Sequence, residues 1–219
     1  LITLTLVVFC GCKKAEFDET GYKIIDFADS KFKAALLDHS GLDQNDDGRI
    51  SIYELARVLE IDCTGKGIDH ATELRFCTWA TKISFTGNNV SDEINISKLL
   101  NLREVDFTGN SLKGTFAMTN MRALTSIKLA GNNIRELKDI SNATALQTAD
   151  FSNNNLSGSI NLTRLRNLVR VDFSNNPNLN RILLHESYIG KSVLVLDSQV
   201  VIEYNDDNNQ VVIPGGNQD

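Results

Sequence analysis

One spacing constrains this chain more than any property of its composition. Segments beginning at Ala80, Leu102, Leu124, Leu146 and Leu168 repeat one pattern every 22 residues: ATKISFTGNNV, LREVDFTGNSL, LTSIKLAGNNI, LQTADFSNNNL and LVRVDFSNNPNL. A degenerate copy, VLEIDCTGKGI, begins at Val58. In the copy at Leu168 an extra residue, Pro177 or Asn178, moves the last apolar position to Leu179. A fixed period of this length belongs to a chain that stacks one small unit on the next, because a single unit cannot bury its apolar face alone.

Each copy opens with period-two alternation, as a strand requires. The inward residues are Ile83 and Phe85, Val105 and Phe107, Ile127 and Leu129, Ala149 and Phe151, and Val171 and Phe173. Stacking then places four phenylalanines in one column, with Leu129 in the middle. Asn88, Asn110, Asn132, Asn154 and Asn176 form a second column. An inward amide can satisfy backbone groups where the chain leaves the strand. Lys66 at this place in the first copy marks an atypical terminal repeat. The return segments carry Ile94, Ile96 and Leu99, then Phe116, Met118 and Met121, a weakened Lys138, Ile140 and Ala143, and Ile160, Leu162 and Leu165. They predict irregular or single-turn convex elements rather than long helices. The copies fit L-x-x-L-x-L-x-x-N-x-L and so resemble leucine-rich repeats.

Ahead of the repeats, Asp43 to Glu54 reads DQNDDGRISIYE, which matches the EF-hand pattern D-x-[DN]-x-[DN]-G-x5-E. Asp43, Asn45 and Asp47 are predicted to give side-chain oxygens to Ca2+, Arg49 its carbonyl, Ser51 a contact through water, and Glu54 two oxygens. Gly48 permits the sharp turn. Asp29 or Ser30 can cap a helix running to about Leu37, and Ser51 to Leu59 can form a second. The sequence shows one such loop, whereas sensors usually pair them, so a structural role is expected. Phe27, Phe32, Ala35, Leu36 and Leu55 are available to cover the apolar end of the first repeat.

The chain opens on an uncharged apolar run, LITLTLVVF, too short to span a bilayer as a helix and suited to a signal peptide. Gly11 before Cys12 resembles a bacterial lipoprotein cleavage site, which makes Cys12 the lipid-bearing residue, with Cys10 a weaker choice because Phe9 precedes it. Cys63 and Cys77 fall at inward positions of the first copy. Buried free thiols and a bond between them both fit.

The order of parts resembles bacterial surface lipoproteins with an EF-hand-like cap and internalin-like repeats. The resemblance runs from Ile25 to about Leu179. It implies a cell-envelope location, as an outer-membrane or surface lipoprotein, and a protein-interaction role without a defined ligand. The expected architecture is an α/β repeat: a leucine-rich-repeat solenoid with parallel strands on its concave face, an irregular convex side and a small helical N-terminal cap. The parts are residues 1–12 as signal peptide and lipoprotein site, 13–24 as linker, 25–57 as cap, 58–189 as repeats, and 190–219 as C-terminal cap and tail. VLVLDSQVVIEY in the last part predicts two strands joined near Asp197 and Ser198.

The concave face carries Lys82, Glu104, Asp106, Lys128, Asp150, Arg170 and Asp172 as candidate contacts for a protein or cell-surface ligand. It carries no aromatic anchor of the kind that dominates protein hot spots. Trp79, just before a strand, is expected to fill the seam beside the cap. A net charge of -6 disfavours nucleic acid as a partner. The three histidines, His39, His70 and His185, are scattered, and no nucleophile, base and orienting group converge, so the chain reads as a binder rather than an enzyme. The alternative is a structural or accessory lipoprotein of a larger surface assembly. A surface-polymer hydrolase is the least supported reading.

Overall fold

In a computed structural model, which describes residues 15–19, 21–38 and 41–212, the 22-residue period becomes a parallel-strand solenoid. Its concave sheet has seven strands in chain order: Glu60–Asp62, Lys82–Ser84, Glu104–Asp106, Ser126–Lys128, Thr148–Asp150, Arg170–Asp172 and Leu194–Val195. Through the first six, every residue pairs with the one 22 positions on, from Glu60 with Lys82 to Asp150 with Asp172. Constant register follows from constant repeat length. The middle residue of each of these six strands is buried and its neighbours face outward.

Two columns hold the coils together. Phe85, Phe107, Leu129, Phe151 and Phe173 are at most 1% exposed. Phe85 stacks on Phe107 and Phe151 on Phe173, each at a centroid distance of 5.2 Å. The asparagine column is a hydrogen-bond ladder. Asn110 Nδ2 donates to the carbonyls of Phe85 (2.8 Å) and Phe107 (3.0 Å), and its Oδ1 accepts from Val90 N–H at 3.0 Å. Asn88, Asn132, Asn154 and Asn176 repeat the arrangement one coil apart. Each amide thereby satisfies two carbonyls and one N–H of a chain turning away from its strand.

The residue before each ladder asparagine sits at positive φ. Gly87, Gly109 and Gly131 lie at 66–67°, and Asn153 and Asn175 hold the same place at 53° and 58°. Glycine adopts this region without penalty, and asparagine tolerates it better than most residues.

The convex side differs from expectation. Lys113–Ala117 pairs in parallel with Asn133–Lys138, and Ser157–Asn161, Asn178–His185 and Val201–Asn205 form a second parallel set, joined antiparallel by Val211–Val212. Extended return segments one coil apart leave backbone groups facing each other, and pairing is how these are satisfied. Elsewhere the returns are short, with single 3-10 turns at Thr72–Phe76, Ile140–Asn142 and Glu186–Tyr188. Lys138 does not take the inward place opposite Phe116. A bulge at Arg135 shifts the register so that Leu137 does. Leu179 is fully buried, as the displaced apolar position requires.

The cap consists of two helices. The first, Ser30–Leu37, is capped by Asp29, whose Oδ1 accepts from Lys31 N–H at 2.8 Å. The second runs only Ile52–Ala56, shorter than the expected stretch to Leu59, because Val58 and Leu59 lead directly into the first concave strand. Ser51 and Glu54 make a capping box at its start. Phe32, Ala35, Leu36 and Leu55 join the core of the repeats. At the other end the strands of VLVLDSQVVIEY do not pair with each other. Leu194–Val195 extends the concave sheet and Val201–Asn205 the convex one, so the coil continues past residue 189.

Candidate functional site

Two regions carry the sequence's candidate residues, and a third emerges from the structure. The first is the loop from Asp43 to Glu54. Asp43 accepts from the N–H groups of Asp47 (3.2 Å) and Gly48 (2.9 Å), Asn45 from Asp47 N–H (3.3 Å), and Asp47 from Arg49 N–H (2.7 Å). These nested Asx turns wind the loop, with Asp46 and Gly48 at φ of 56° and 68°. Glu54 is buried, and its carboxylate ties the two ends of the loop together. Oε1 accepts from Gln44 N–H at 2.9 Å, and Oε2 accepts from Ser51 N–H and Oγ, both at 2.9 Å. The Arg49 guanidinium lies 3.3 Å from Glu16 and 3.4 Å from Asp47. Among the described residues no group of three or more His, Cys, Asp or Glu side chains is close enough to hold a metal ion. Asp43, Asn45 and Asp47 are therefore positioned in one turn, while Glu54 is committed to the capping box.

The second region is the concave face. Its outward side chains largely neutralise one another: Lys82 lies 3.2 Å from Glu104, Lys128 3.6 Å from Asp106 and Arg170 3.4 Å from Asp172. A shallow depression of about 430 Å³ lies over the strands from Glu60 to Lys128. The aspartates have a second task. Asp62, Asp106, Asp150 and Asp172 each accept from the N–H two residues on, at 2.9–3.0 Å, so one oxygen of each closes the turn at the strand end. The Thr64 hydroxyl and N–H hold the Asp62 carboxyl below its usual range. Of the seven candidates on this face, Lys82, Glu104, Lys128 and Arg170 have no such backbone role among the described residues.

The third region lies at the seam between cap and solenoid, and the sequence did not single it out as a site. Trp79 N–H donates to the Ala56 carbonyl at 3.0 Å, but its ring does not fill the seam; it is 49% exposed. Instead Trp79 joins a surface row in which Tyr22 stacks on Tyr53 at 4.5 Å and the Arg57 guanidinium lies 4.8 Å from the Tyr53 ring and 4.9 Å from the Trp79 ring. The signal available beforehand was the four-residue spacing of Tyr53 and Arg57 on one helix face.

Cys63 and Cys77 are both free and buried. Burial pushes the Cys63 thiol up to about 12 and Cys77 higher still, so neither is poised as a nucleophile. His70 is raised by its hydrogen bond to Asp92, 2.9 Å away. His185 is buried at the other end of the solenoid, and His39 lies outside the described residues. Cys10, Cys12 and the apolar run also lie outside them. Among the described residues no helix is long and apolar enough to cross a membrane.

No family model and no curated protein matches the sequence. Solved structures do match the fold. An internalin from Listeria monocytogenes superposes with a TM-score of 0.58 at 16% identity, over 85% of this chain and 58% of that one. Internalin C2 from the same organism gives 0.45 at 14% identity, over 82% and 94% of the two chains. A TLR13–ssRNA13 complex gives 0.44 at 16% identity, over 66% and 27%. This chain thus spans little more than half of the first internalin. At such identities the likeness is one of fold: the chain is a leucine-rich-repeat solenoid of parallel strands, of the kind internalins adopt.

Proposed function

We propose that this chain is a non-catalytic recognition protein of a bacterial cell envelope, with a calcium-locked cap and a lipid on Cys12. The observation that carries the recognition reading is the unbroken concave sheet. Six strands in one register present Lys82, Glu104, Lys128 and Arg170 at fixed spacing on a rigid scaffold. Rigid presentation lowers the ordering cost of binding a protein partner. Among the described residues no reaction centre is assembled: the thiols of Cys63 and Cys77 are buried, and His70 and His185 sit at opposite ends of the solenoid. A cell-surface protein is the partner class this favours, and the acidic balance of the chain argues against nucleic acid.

Calcium fits the wound loop. Asp43, Asn45 and Asp47 are drawn into one turn, and Arg49 and Ser51 follow at the spacing the ion requires. The ion competes with the capping box for Glu54. The lipid on Cys12 would hold the solenoid at a membrane surface, each buried methylene contributing about 0.8 kcal/mol.

The test is affinity capture from envelope membranes, with and without calcium, using the parent chain and a variant with Lys82, Lys128 and Arg170 reversed to glutamate, positions without a backbone role among the described residues. Loss of a captured protein in the variant supports concave-face recognition. Unchanged capture would remove the concave face from the account, and failure to capture anything from membranes would remove the recognition reading. Metabolic labelling with a palmitate analogue, lost in Cys12→Ser, tests the anchor; labelling unchanged by that substitution refutes it.

A further inference from the structure

The row at the cap–solenoid seam has the composition that the concave face lacks. Tyr22 is 44% exposed, Trp79 49% and Leu59 57%, and Arg57 is also exposed. Tryptophan, tyrosine and arginine are the residues that most often dominate protein interfaces. The row is already ordered. Arg57 Nη1 donates to the Tyr53 hydroxyl at 2.9 Å while its guanidinium lies between two rings, so these long side chains have little rotamer freedom left to lose on binding. Two depressions flank it and meet at Leu59. One, about 420 Å³, runs past Arg57, Val58 and Glu60; the other, about 270 Å³, lies between Trp79 and Arg103.

Charge decides what such a surface accepts. Among the described residues neither Arg57 nor Arg103 has a carboxylate within ion-pair distance, although the chain as a whole is acidic. Glu54 and Glu60 line the first depression with Arg57, but no carboxylate lines the second, where Arg103 stands with Leu59 and Trp79; that side complements a segment that carries carboxylates around an apolar residue. Tyr53 has Tyr22 stacked on it and Arg57 over it, so a sugar would have to stack on Tyr22 or Trp79 instead.

We infer that this seam, centred on Arg57, Trp79, Leu59 and Arg103, is a docking site for an acidic, apolar-anchored peptide segment of a partner protein. The site adjoins the N-terminal end of the concave face at Glu60 but uses none of Lys82, Glu104, Lys128 or Arg170, and it stands whether or not that face is used. Trp79 is the only tryptophan in the sequence, so its fluorescence reports on the site directly.

The full chain is titrated with a positional-scanning set of acetylated hexapeptides. These carry one leucine or phenylalanine flanked by Asp and Glu, or by Asn and Gln as neutral counterparts. The expected result is a saturable change in Trp79 emission, with the acidic series binding at least about 10-fold more tightly than the neutral one. The double substitution Arg57→Gln and Arg103→Gln is expected to weaken binding by at least about 10-fold, and Lys82→Gln with Lys128→Gln on the concave face to leave it unchanged. Each variant's melting curve confirms that it is folded. Equal affinity for the neutral peptides, full binding by the folded double variant, or no saturation below about 1 mM would overturn the inference. So would a response to oligouronate that the peptides do not share. Binding lost only in the concave-face variant would overturn it too, while leaving the recognition reading intact.

Discussion

The two ends of the ladder meet the same problem with different means. At the N-terminal end the first coil has Cys63 where later coils have phenylalanine, and Lys66 where they have asparagine. The helical cap supplies the missing ring and, in place of an amide, a carboxylate that binds the first return segment. Phe32, fully buried, sets its ring edge-on to Phe85 at 5.2 Å and so extends the aromatic column by one. Asp29 Oδ2 accepts from Asp69 N–H (2.7 Å) and His70 N–H (3.2 Å), backbone groups of the first return segment. At the C-terminal end no separate element intervenes. The chain makes one more coil, in which Asp197 accepts from Asn175 N–H (2.9 Å) and Asn176 N–H (3.0 Å). That end leaves Val201 and Val211 more than half exposed. A foreign helix thus closes the N-terminal end with an aromatic ring and a carboxylate, and continuation of the repeat closes the other with a carboxylate alone.

If the cap is part of the column, removing Phe32 should damage the molecule most. Phe32→Ala is expected to cost about 3–5 kcal/mol in urea unfolding, the range for a buried phenylalanine. A cost below about 1 kcal/mol would mean that the cap merely rests on the repeats. Within the ladder, Asn154→Ala leaves three carbonyls and one N–H without the amide, and is expected to cost about 2–4 kcal/mol. Calcium should act on the N-terminal end alone. With free ion about 100-fold above its dissociation constant, chelation should lower stability by about 2.7 kcal/mol, and Glu54→Gln should weaken that dependence. A melting temperature indifferent to chelator in the parent chain would refute the lock.

The smallest effect separates the two carboxylates. Burial alone would raise Asp29, but the N–H groups of Asp69, Lys31, His70 and Phe32 together outweigh it and hold its pKa below the ordinary carboxylate value. A folded-state pKa below the unfolded value, about 3.9, means the contribution is present above that pH and is lost as pH falls through the folded pKa. Asp29→Asn should therefore flatten the acid limb of the stability curve below about pH 4 while keeping the helix cap. An acid limb identical to the parent's would show that Asp29 carries none of it.

The columns were legible because they obey one period: each inward phenylalanine or leucine of the column, each ladder asparagine and each positive-φ residue before it lies 22 residues from the next. The convex pairing was not. Its register slips at Arg135 and again between Leu179 and Arg181, and a bulge leaves no periodic trace. The loop from Asp43 to Glu54 was legible as a motif, yet its glutamate serves the capping box, a contact that spacing alone cannot separate from metal ligation. The row through Arg57 and Trp79 was missed because it is assembled from Tyr22, a helix and the approach to a strand, which share no period. Trp79 lies exposed against Arg57, a contact that follows only once the cap is placed.

The claim that the cap completes the aromatic column is tested most directly by a double-mutant cycle between Phe32 and Phe85, read by equilibrium unfolding. Edge-on aromatic contact predicts that the two alanine substitutions fall short of additivity by about 0.5–1.5 kcal/mol. Additive losses, with no coupling beyond about 0.3 kcal/mol, would contradict it and separate the cap from the ladder.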